Sequence, residues 1–136
     1  MSKSNTTEND VLKAVLQGTD PSWRAQANLW VALYTANPDE AGTAITNETA
    51  YTNYVRKPIV KATGWTDGGS SFSNAAQIQF DVCGAVAGSP LTHVAIVTTA
   101  NGAGQILYSG QLNDSLAIAT LVQPQFAIGA LVITED

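Results

Sequence analysis

Trp30-Val31-Ala32-Leu33-Tyr34-Thr35-Ala36-Asn37-Pro38-Asp39-Glu40-Ala41-Gly42 reads as a buried strand that ends abruptly in a turn. On an extended chain, Leu29, Val31, Leu33 and Thr35 face one side, and Trp30, Ala32, Tyr34 and Ala36 the other. Both sides are mostly apolar. That predicts a strand lying between two layers rather than at a wet surface. Pro38 has no N–H and a fixed φ, so the stretch from Asn37 to Glu40 breaks pairing.

Downstream of this strand the chain reads as short strands and turns. A polar loop runs through residue 48, and residues 51–61 form the next strand-like region. Pro58 inside it predicts an edge position, a break or a bulge. Residues 63–70 hold turn signals, including Gly68-Gly69. Residues 76–83 alternate, with Ile78, Phe80 and Val82 expected inward. In residues 91–99, Leu91, His93, Ala95 and Val97 fall on one face, and Thr92, Val94, Ile96 and Thr98 on the other. Asn101-Gly102-Ala103-Gly104 signals a hairpin, with residues 105–112 as the returning strand. Residues 116–122 and 126–134 close the series, the last alternating at Phe126, Ile128, Ala130 and Val132.

Seven or eight short strands with a turn signal roughly every ten residues predict a sandwich or barrel. No βαβ alternation is present. The expected fold is all-β, a jelly-roll-like antiparallel β-sandwich with a short N-terminal helix. Residues 1–22 are expected to form the helix and an arm, and residues 23–136 the β-sandwich domain.

The helix is predicted over residues 5–17. Thr7 is the expected N-cap, with Asp10 at the capping-box spacing, and Gly18 the expected stop. Val11, Leu12, Val15 and Leu16 make one apolar stripe. So short a helix is marginal alone, so the stripe must be buried against this domain or a neighbour. Its isolation from the β pattern favours a neighbour. These four residues and Trp23 are the candidate partner-binding set.

Of the 136 residues, 12% are charged, about half the usual fraction. Interface cores are depleted in the same residues, so a surface covered by neighbours would look like this; a Thr- and Ser-rich β domain would look the same. The net charge is −5, and the six Lys and Arg form no cluster. Nucleic acid and a polybasic membrane contact are therefore not expected as partners. The first eight residues carry no apolar core of a secretory signal, and no apolar run reaches the ~18 residues of a membrane span.

Reactive chemistry is sparse. The single cysteine, Cys83, excludes an intrachain disulfide and reads as a small packing residue. The single histidine, His93, sits in an alternating strand, and there is no Gly-x-Ser-x-Gly elbow to build a triad around it. The pairs Asp39 with Glu40 and Asp81 with Asp114 leave two-carboxylate hydrolysis formally open. Trp23, Trp65 and Tyr108 could form a sugar platform, or serve as core or interface anchors. No cofactor and no metal site is expected, and no enzymatic activity.

The run Leu29–Gly42, followed by Ala50-Tyr51-Thr52-Asn53-Tyr54-Val55-Arg56, resembles a signature of small virion proteins of tailed phages. Residues 126–133 look like the matching final strand. The chain resembles the capsid cement (decoration) proteins, and is similar to the jelly-roll cement protein of the Bordetella podophage. Asn53 stands where relatives often carry Gly. The resemblance implies a protein made in the host bacterial cytoplasm that binds the outside of a shell of HK97-like major capsid protein and cements neighbouring capsomers. It also implies a homodimer, many copies per virion and no catalysis. The rival expectation is a receptor- or glycan-binding β-sandwich module of a phage tail fibre. A small jelly-roll hydrolase is a third, and would need clustered His or acidic ligands that this sequence lacks.

Overall fold

The computed structural model describes residues 1–135. Helix α1 spans Asn5–Gln17, and a 3-10 turn follows at Ser22–Ala25. Nine strands come next: β1 (Asn28–Tyr34), β2 (Lys57–Val60), β3 (Trp65–Asp67), β4 (Ser71–Asn74), β5 (Ile78–Gln79), β6 (Leu91–Val97), β7 (Ile106–Leu116), β8 (Gln125–Phe126) and β9 (Val132–Thr134). Their pairings are antiparallel. A four-stranded sheet runs in the order β2-β1-β6-β7. Opposite it lie a three-stranded sheet, β3-β4-β9, and a β5-β8 pair. The chain is an all-β sandwich with one short N-terminal helix.

The strand that opened the sequence reading is buried on both faces. Leu29, Val31 and Leu33 enter the main core with Ile59, Ile78, Phe80, Leu91, Val94, Ile96, Leu107 and Leu131. That cluster draws on both layers and is what holds the sandwich shut. Ala32 and Tyr34 enter a second cluster on the outer face, with Ala44, Ala95, Val97 and Ile106. Trp30 packs against its edge. The Tyr34 hydroxyl donates to the Ala44 carbonyl at 2.8 Å, tying the loop after β1 over this face.

Pro58 lies in β2, at the edge of the four-stranded sheet, where the missing N–H costs no ladder bond. The hairpin at residues 101–104 joins β6 to β7. Gly102 holds φ +74° there, and a Cβ on Gly104 would lie 2.1 Å from Thr99 Oγ1.

Several expectations are corrected. Thr7 is not the N-cap; Ser4 is, with φ −73° and ψ 156°, and its side chain accepts from the Thr7 N–H. The face assignment in β6 fails at its start, because a bulge between Leu91 and His93 puts Leu91 in the main core with Val94 and Ile96. Inward alternation in residues 76–83 ends at Phe80. Val82 is exposed and Cys83 is buried in its place, because the chain leaves β5 and bonds from the Cys83 N–H to the Val122 carbonyl. Residues 116–122 form no second strand: Leu116 ends β7 and a turn follows. The last strand splits into β8 and β9 about a turn at Gly129, φ +77°. Leu131 and Ile133 then pack inward while Ile128 and Val132 are exposed.

Candidate functional site

Helix α1 is fastened to the sandwich by its polar side. Ser4 and Thr7 are buried, and both hydroxyls donate to the Ile106 carbonyl, at 2.6 and 2.7 Å. The Gln105 amide donates to Thr7 Oγ1 at 2.8 Å and to Asp10 Oδ2 at 2.9 Å. The Trp23 indole N–H donates to the same Asp10 oxygen at 3.0 Å. The Asn5 N–H reaches the Glu40 carbonyl at 2.9 Å. Just before the helix, Ser2 and Ser109 exchange both backbone bonds at 2.8 Å, so the first residues pair along β7. Gly18 closes the helix in the left-handed region at φ 66°.

This arrangement inverts the usual amphipathic helix, which turns its apolar stripe inward. Leu12, Val15 and Leu16 are 57%, 75% and 76% exposed. Val11 is half-buried. Trp23 is half-buried as well, packs against the main core and reaches back to Asp10. Of the five candidate partner-binding residues, three are therefore presented outward on one helix, one lies at its margin, and Trp23 supports the helix from below. The sequence does not reveal Ser4, Thr7 and Gln105 as the fasteners, because the groups they join, Ser4 and Thr7 on one side and Gln105 with the Ile106 carbonyl on the other, lie about a hundred positions apart in the chain.

A second exposed apolar patch was not foreseen. Leu121 is 80% exposed and sits at φ +73°; its N–H donates to the Cys83 carbonyl at 2.8 Å. Val82 and Val86 are exposed on the same pair of loops. In sequence, Leu121 and Val122 look like strand residues, so nothing there marks the turn.

Apart from Asp114, the groups that could have carried chemistry lie in turns, are buried or are bonded to neighbours. His93 lies in β6 with the Thr92 hydroxyl 2.8 Å from Nδ1, and burial lowers its pKa. Cys83 is buried. Asp81 bonds Lys57 at 2.8 Å. Asp39 sits in a turn at φ 62°. Trp65 and Tyr108 line one shallow apolar cleft with Phe72 and Ile133; Trp23 is not part of it, so the three aromatics make no joint platform. Among the described residues no three of His, Cys, Asp or Glu gather to hold a metal ion, and no helix is long and apolar enough to cross a membrane.

The strongest polar cluster serves the fold. Arg56 forms a two-pronged ion pair with Glu48, at 2.7 and 2.8 Å, and its remaining donors reach Thr99 and the Gly102 carbonyl. The Tyr54 hydroxyl donates to Glu48 at 2.8 Å and accepts from the Leu33 N–H. Burial, then the Glu48 charge, pushes the Tyr34 and Tyr54 hydroxyls far above the ordinary tyrosine value. Burial raises Tyr51 to about 12.

No curated protein matches the chain. The family described as podophage GP4 fiber I protein gp80 matches residues 2–134, nearly the whole length, and the chain belongs to that family of phage structural proteins, components of the virion.

Proposed function

We propose that the chain is a non-catalytic subunit of a podophage fibre, joined to its neighbours through the outward stripe of α1. The inverted helix carries this reading. Side chains such as Leu and Val gain about 1.5–3 kcal/mol each on full burial. Here Leu12, Val15 and Leu16 forgo that gain within the monomer, while hydrogen bonds fix the helix that bears them. A pre-ordered apolar ridge loses little entropy on docking. In a dimer, two such ridges would engage two neighbours, and the first contact raises the effective concentration for the second. The fibre assignment rests on the family.

A second reading, cement on a shell of HK97-like major capsid protein, rests on the resemblance of residues 29–42 and 50–56 to that signature. In the structure these residues build the body. Tyr34 ties down the loop, Arg56 clamps Glu48, and a Cβ on Gly42 would lie 1.9 Å from the Pro38 carbonyl oxygen. They support a shared architecture and leave the docking target to other residues.

The test is phage carrying Leu12→Gln, Val15→Gln and Leu16→Gln together. The purified variant should unfold at the wild-type midpoint, since all three residues face water. Its incorporation into particles should fall more than about tenfold. Normal incorporation would overturn the assembly role of α1. Labelling the protein on intact particles separates fibre from shell: signal spread evenly over the head would favour cement.

A further inference from the structure

A groove of about 1000 Å³ opens between the β6–β7 end of the large sheet and strands β8 and β9, with Met1 and Ser2 at its border and no residue of α1 in its lining. Its apolar side includes Leu91, Leu131 and the half-buried ring of Phe126. Its polar side is unusual in kind. His93, Gln111, Asn113, Asp114 and Gln125 line it, and no lysine or arginine does. Gln125 accepts from Gln77 and Gln79 through its carbonyl oxygen, which leaves its amide donors for another partner. Gln111, Asn113 and Asp114 are exposed and engage no other side chain among the described residues. They cluster because β7 bulges there: His93 pairs with Gln111 but Leu91 with Leu116, so residues 112–115 arch out of the ladder.

We propose that this groove binds a neutral glycan. Carboxamides both donate and accept, and a carboxylate accepts from two hydroxyls at once, so together they match the paired hydroxyls of a sugar ring. An aromatic ring beside them receives the apolar C–H face of the same ring. The absence of any lining lysine or arginine and the net charge of −5 disfavour polyanionic ligands such as nucleic acid or heavily sulfated chains. The volume suits a short oligosaccharide rather than a protein surface. The proposal deepens the fibre reading by giving the subunit a ligand. It uses no residue of α1, so each can fail alone.

Saturation-transfer NMR on the full chain tests it, with glucose, galactose, rhamnose, N-acetylglucosamine and their short oligomers as probes, and a sulfated disaccharide beside them. At least one neutral sugar should receive saturation. Asn113→Ala with Asp114→Ala should weaken that sugar about tenfold or more, through the lost hydrogen bonds. Both residues are exposed, so the circular dichroism spectrum should not change. The α1 variant should bind the sugar normally. Three results would overturn the proposal: no transfer to any neutral sugar, transfer that survives the double substitution, or transfer to the sulfated probe alone.

Discussion

Arg56 shows how one residue can hold several segments at once. Its guanidinium meets both oxygens of Glu48 and the carbonyls of Thr99 and Gly102, joining the loop after β1 to the β6–β7 hairpin. Its side chain is 2% exposed. Removing one member of a buried pair strands the other charge, at a cost of about 3–5 kcal/mol. Arg56→Ala should lower the urea midpoint accordingly, and Lys in its place should recover only part, because it cannot make the two-pronged contact. The tyrosines make a second prediction. Tyr34, Tyr51 and Tyr54 all have raised pKa values, so the folded state holds them neutral. Their contribution is fully present below the ordinary tyrosine value near 10 and is lost as pH rises through the folded values. Tyrosinate absorbance should therefore appear late and together with unfolding. A smooth rise near pH 10 in a still-folded protein would contradict the buried hydroxyl bonds. In sequence, Tyr34 is legible as a buried residue because both faces of the run around it are apolar. The Arg56–Glu48 pair is not, since nothing local links the two.

Among the elements, α1 was the most legible. Its apolar spacing and Gly18 gave its extent, and the structure begins and ends it at Asn5 and Gln17. Its cap is not legible because Ser4 and Thr7 both offer a hydroxyl, and only the backbone shows that Ser4 is extended and accepts from the Thr7 N–H. Thr7→Ala should cost about 1–3 kcal/mol by removing two hydrogen bonds of the buried hydroxyl, one to Ile106 and one from Gln105. Calorimetry on that variant checks it, and an unchanged midpoint would mean the helix is not fastened this way. The strands divide by length. β1 and β6, each seven residues, are readable because a continuous apolar run of that length marks a strand buried on both faces. The two- and three-residue pieces β3, β5, β8 and β9 are not, because their ends are set by backbone bonds between distant loops, such as Phe80 N–H to the Pro124 carbonyl.

For the whole molecule, the all-β sandwich followed from strand count and turn spacing. The candidate assembly surface was visible as a stripe of four residues, although whether it turned inward or outward depended on hydrogen bonds no local pattern encodes. The groove proposed to bind a glycan is invisible in sequence, since its lining comes from separate strands and a bulge. The family places the chain in the virion, and the low charge fits a surface that meets neighbours. The most direct test is an electron-microscopy map of the particle at side-chain detail. The account predicts copies within a fibre, with Leu12, Val15 and Leu16 covered by an adjoining protein. Copies whose α1 stripe faces solvent throughout the particle would contradict it.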